Sequence, residues 1–148
     1  MIYETQVQFT TVDAHGNDRV VKQRFIIKEA MSHGEAEDIT YEECHAQTDI
    51  DVIAVKRSKI KEILNKRQSD ADYIFIADVA DITTDENGEE KELVYKMAFY
   101  ANNADNAFNF IMAFLRQGYN MTLVGLKKTK FCDVIDQSGN DTSIRYIP

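Results

Sequence analysis

Apolar residues recur at every second position in two separated stretches of the chain. In the first, Val7, Phe9 and Thr11 alternate with Gln6, Gln8 and Thr10, and after a turn at 13–18 containing Gly16 come Val21, Gln23, Phe25 and Ile27. Successive side chains of a strand point to opposite faces, so a period of two on both sides of a turn predicts a β-hairpin. The pattern returns at Tyr73, Phe75, Ala77 and Val79, a turn around Asn87 and Gly88, then Leu93, Tyr95, Met97 and Phe99. Asn-Gly between alternating runs is a strong hairpin signal because both residues tolerate positive φ.

After each hairpin the period lengthens. Ser32 followed by Glu35 fits a capping box, which satisfies orphan backbone donors at a helix start, and predicts a helix over 33–46. A second helix begins near Asn103, carries Ala104, Ala107, Phe108, Ile111 and Leu115 at helical spacing, and stops at Gly118. Phe110 and Phe114 widen its apolar face, so it is expected to be the more deeply buried of the two. Each helix is followed by a strand, a short polar turn and one predicted turn of helix, in which Ile60, Ile63 and Leu64 match Phe131, Val134 and Ile135 at i, i+3, i+4 spacing.

The two stretches are related by a shift of 71 positions. Val52-Ile53-Ala54-Val55-Lys56-Arg57-Ser58-Lys59-Ile60 aligns with Leu123-Val124-Gly125-Leu126-Lys127-Lys128-Thr129-Lys130-Phe131, and Ala30 and Ala36 align with Ala101 and Ala107. Within 52–64 only the pair Lys61 and Cys132 changes character. Agreement of hairpin, helix and strand in one order implies an internal repeat. The expected fold is therefore α+β: a tandem duplication of a ββαβ unit, giving a mostly antiparallel sheet of about six strands with two helices packed on one face. The units are 1–64 and 72–135, joined by a linker at 65–71 and followed by a tail at 136–148, all in one compact domain.

Composition changes this picture little. A chain of 148 residues can bury roughly 70% of its unfolded surface without a staple. The opening MIYETQVQFTTVD lacks the basic and apolar regions of a signal peptide, and no apolar run reaches membrane-spanning length, so a cytoplasmic protein without membrane contact is expected. Cys44 and Cys132 lie far apart with no ligand at metal spacing, so both are read as buried thiols rather than a disulfide or zinc site. No cofactor motif is present, because the six glycines are scattered.

Tyr3-Glu4-Thr5-Gln6-Val7, the helix segment Ser32-His33-Gly34-Glu35-Ala36-Glu37-Asp38 and Val55-Lys56-Arg57 carry a family likeness. On these residues the chain resembles an uncharacterised family, a domain of unknown function found in small proteins of Bacteroidota and their phages. The resemblance implies a small cytoplasmic protein of a bacterium or phage and brings no catalytic residue with it. The chain departs from that pattern in a longer second helix region and in the tail Arg145-Tyr146-Ile147-Pro148.

The repeated polar feature is cationic: Lys56, Arg57, Lys59 and Lys61 in one repeat, Lys127, Lys128 and Lys130 in the other. Cations that follow phosphates, with aromatic faces nearby for stacking, are what single-stranded nucleic acid needs, and Tyr95 and Tyr100 are the tyrosines expected to serve. The bland alternative is that strand ends are basic because they are solvated. A net charge of −8 opposes indiscriminate polyanion binding but leaves local basic tracks possible, since exposed charges are screened beyond about 8–10 Å. That charge suits a second function, a protein-binding module or phage factor docking on a host protein through the acidic helix at Glu37, Asp38 and Glu42 or through a sheet edge; an oligomer is compatible with either. Cys44 and His45 are adjacent and point apart on a helix, and His15, His33 and His45 have no partners at ligand spacing. The carboxylates Glu35, Glu43, Asp85, Glu86, Glu89 and Glu90 read as solvated faces, so no enzyme is expected.

Overall fold

The computed structural model describes residues 1–137, in which the elements run β1 (Tyr3–Val12), β2 (Asp18–Ile27), α1 (His33–Glu43), β3 (Thr48–Arg57), β4 (Ile60–Ile63), β5 (Tyr73–Thr84), β6 (Glu90–Ala101), α2 (Ala104–Leu115), β7 (Met121–Lys128) and β8 (Phe131–Ile135). The tail residues 138–148, Arg145 to Pro148 among them, lie outside the described residues. Instead of one sheet of about six strands, the eight strands form two mixed sheets of four, ordered β3-β1-β2-β8 and β4-β6-β5-β7. Among the described residues the chain divides into two compact units, Met1–Ser58 with residues 131–137, and Lys59–Lys130.

In the first unit β1 pairs antiparallel with β2 and β3, and β8 lies parallel to β2. The alternation seen in the sequence sorts these strands into two faces. Tyr3, Val7, Phe9, Phe25 and Ile27 meet Ala36 and Ile39 of α1 and Cys44 at its C-cap in one cluster. The hairpin turns because the Asp13 carboxylate accepts from the backbone N–H groups of His15 at 2.9 Å and Asn17 at 3.0 Å, while Gly16 takes φ +79°. Those bonds, first that from Asn17, and the Arg19 guanidinium hold the Asp13 carboxyl below its ordinary pKa.

The second unit repeats the arrangement. Asp85 accepts from Asn87 and Glu89 N–H groups, both at 2.9 Å, and Gly88 also has φ +79°. Phase is kept across the sheet, so Phe75, Ala77, Val79, Met97 and Phe99 face Ala107, Ile111 and Leu115 of α2. Phe110 and Phe114 are half-buried against the same cluster.

Both helices start where their caps predict: Ser32 Oγ accepts from Glu35 N–H at 3.1 Å, and Asn103 Oδ1 from Asn106 N–H at 2.8 Å. The reciprocal half of the box is displaced by one residue, with Glu35 accepting from Met31 N–H at 3.4 Å. α1 ends at Glu43 rather than 46, because Gln47 N–H turns back to Cys44 O at 3.0 Å.

The predicted helical turns at 60–64 and 131–135 are strands. β4 runs parallel to β6, with Ile60 opposite Lys96 and Ile63 opposite Ala98. A bulge between Ile60 and Glu62 sets two residues against one step of β6, so Ile60 and Ile63, three apart, share a face. In β8 the same irregularity falls between Phe131 and Asp133, and Phe131 and Val134 are both buried. Spacing that mimics a helix turn is thus produced by a bulge. The bulged residues are Lys61 and Cys132, both exposed, which explains why that pair alone differs in character.

Candidate nucleic-acid interface

The seven cations fall on the two segments where the chain passes from one unit to the other. β3 ends in Lys56 and Arg57, and after Ser58 the chain leaves the first unit through Lys59 and enters β4 with Lys61 at its bulge. β7 ends in Lys127 and Lys128, and Thr129 and Lys130 lead out to β8. All seven are exposed. Each departure is pinned by one backbone bond, Ser58 N–H to Ile2 O and Thr129 N–H to Ile74 O, both at 2.9 Å. Backbone between strands must stay solvated, and charged side chains keep it so.

The cations are divided between the two units. Lys56 and Arg57 lie on β3, an edge of the first sheet, whereas Lys59 and Lys61 belong to the second unit. Lys56 Nζ is 3.7 Å from Glu4, a carboxylate that also accepts from Ser58 Oγ at 2.8 Å and meets Arg24 at 3.4 Å. Arg57, Lys59, Lys61, Lys127, Lys128 and Lys130 form no ion pair among the described residues. Within the second sheet, β4 and β7 are opposite edges, about 14 Å apart across three strand spacings.

The aromatic partners differ from those expected. Tyr100 is 6% exposed, so it is no stacking platform; its backbone N–H donates to Asn65 Oδ1 at 2.7 Å, and Arg67 covers its ring at 4.8 Å. Its burial follows from register, since Tyr100 pairs with Ile74 on a face where both are covered. Tyr95 is half-buried against the α2 cluster, and Lys61 Nζ sits 3.7 Å above its ring. An exposed ring beside one of these cations is that of Tyr73, 47% accessible, with Lys128 Nζ 3.9 Å above it. Tyr73 opens β5 and Lys128 closes the neighbouring β7, where Lys128 lies opposite Phe75 and so on the face of Tyr73, whereas Lys127, opposite Ile76, is on the other face. Alternation marks Tyr73 as a strand residue, but only the β5–β7 pairing reveals its cationic neighbour.

The remaining candidates are placed plainly. On α1, Glu35, Asp38 and Glu42 are exposed and Glu37 and Glu43 half-buried. His15, His33 and His45 are exposed. Cys44 is buried, and burial pushes its thiol up to about 11; Cys132, expected to be buried, is exposed because it is the bulge residue of an edge strand. Among the described residues no group of three or more His, Cys, Asp or Glu could hold a metal ion, and no helix is long and apolar enough to cross a membrane. A family model described as a domain of unknown function, DUF4494, matches residues 1–137. No curated protein matches the chain.

Proposed function

Because the chain belongs to the DUF4494 family, whose description assigns no chemistry, we propose its function from its own side chains: a non-enzymatic protein, built by duplication, that binds single-stranded DNA in the cytoplasm of a bacterium or as a phage product. The observation that carries this is the set of six exposed cations without ion pairs on the two crossing segments of an otherwise acidic chain. Such cations track phosphates without reading sequence, and an accessible aromatic face adds sequence-tolerant stacking. Tyr73 with Lys128 over its ring supplies both, and Lys127 and Lys130 add charge at the same end of β7. Lys61 and Tyr95 supply charge at the other edge, with Tyr95 serving to hold Lys61 rather than to stack a base.

Fluorescence anisotropy of a labelled oligo-dT at several salt concentrations tests this. Six phosphate contacts give a log K against log[salt] slope of about −4, and changing Lys127, Lys128 and Lys130 to Ala reduces its magnitude by about 2. Tyr73→Ala weakens binding with the slope unchanged. Absence of binding at low salt overturns the proposal.

A protein-binding module is the second reading, favoured by a groove of about 440 Å³ beside the edge strand β7, lined by Phe108, Met112, Leu115, Arg116, Met121, Thr122 and Leu123. Phe108 is half exposed there. That reading expects partner capture to survive loss of the lysines and to fail in Phe108→Asp.

A further inference from the structure

Each unit draws three strands from one half of the sequence and its fourth from the other half. The first sheet takes β8, which follows the second hairpin and helix, and the second takes β4, which follows the first. The two sheets have one order: hairpin strands in the middle, the post-helix strand on the outside of the hairpin's first strand, and the imported strand parallel to its second. The imported strands are alike in detail. Each is four or five residues long, bulges at its second residue and buries its first. Each is also tied at its end, Leu64 N–H to Ala98 O at 2.9 Å and Lys28 N–H to Ile135 O at 3.0 Å.

We propose that the outer edges of β2 and β6 are strand-accepting surfaces, and that the partner each fits is the short parallel strand of the opposite half-chain. The chain is then a covalently joined form of a strand-exchanged homodimer. Segments of four or five residues have no stable structure alone, so β4 and β8 are ordered by the edges that receive them. Exchange of identical elements between protomers is a low-cost route to a dimer, and fusing two protomers end to end would preserve both exchanged strands. The join is the segment 65–71, which contributes no strand to either sheet. Asp72 organises it through bonds from Gln68 and Ser69 N–H groups, and Asp70 and Ala71 are exposed. Cutting there removes nothing from either sheet, so the halves remain mutual partners.

The experiment inserts a protease recognition sequence between Asp70 and Ala71 of the full chain carrying Cys132→Ser, and adds Ile63→Cys with Ala98→Cys, which are opposed in the β4–β6 register. After cleavage the fragments are expected to co-elute at the position of the uncut chain. After oxidation they are expected to run as one band on a non-reducing denaturing gel, because position 63 lies in the first fragment and 98 in the second. Separation of the cut fragments under native conditions overturns the proposal. So does co-elution with two bands after oxidation, which would place β4 in its own half.

Discussion

Thr5 and Thr40 are the buried polar side chains among the described residues, and they face each other. The Thr40 hydroxyl lies 2.9 Å from Thr5 Oγ1 and 2.8 Å from Ala36 O. In the second unit the corresponding places hold Ala77 and Ile111, both fully buried, so an apolar pair fits the same strand-on-helix contact. Thr40→Val is therefore expected to cost about 1–3 kcal/mol by stranding the Thr5 hydroxyl, and adding Thr5→Val to recover most of it, read as a double-mutant cycle in urea. The two cysteines give a second residue-scale test. A maleimide at pH 8 should label Cys132 in the folded protein and leave Cys44 unreacted. Because the fold holds the Cys44 thiol protonated, the unfolded chain loses that proton first. Its contribution to stability is whole below pH 9 and is lost as pH rises toward 11, where alkaline unfolding of wild type should be steeper than that of Cys44→Ala.

Hairpins and helices were legible because their signals are local. Asp13 and Asp85 each sit three residues before a glycine, and Ser32 and Asn103 each precede a helix, so turn and cap geometry followed from neighbouring residues. Gly88→Ala should cost about 1–2 kcal/mol, since an L side chain at φ +79° meets its own carbonyl, and the loss should appear as faster amide exchange at the β5–β6 tip. What sequence spacing concealed was pairing. Ile60, Ile63 and Leu64 carry the signature of a helical turn, yet the spacing arises from a bulge opposite Lys96 and Met97, more than thirty residues away. The exposure of the cations is legible in the sequence, but their division between units is not, since Arg57 and Lys59, two residues apart, belong to different units. The burial of Tyr100 is hidden from the sequence for the same reason: which faces of β6 are covered depends on partners that no local pattern names.

At the scale of the whole chain, proximity in sequence and membership of a unit disagree. Ile135 follows β7 by a few residues but is 1% exposed within the cluster that α1 covers. Ile135→Ala should destabilise the protein by about 2–5 kcal/mol. The accompanying rise in amide exchange should fall on β2, where Lys28 N–H bonds to Ile135 O, and not on β7; increased exchange in β7 would contradict the assignment. The crossing strands also bear on synthesis. A ribosome releases residues 1–58 long before residue 131 exists, so the edge of β2 at Arg24–Ile27 emerges with Phe25, Ile26 and Ile27 formed and no strand beside them. The first unit begun is thus completed only after the second hairpin and helix have been made. Folding must wait for a contact spanning more than a hundred residues, which slows it, and a nascent chain stalled before Phe131 exposes an unpaired apolar edge of the kind that chaperones bind.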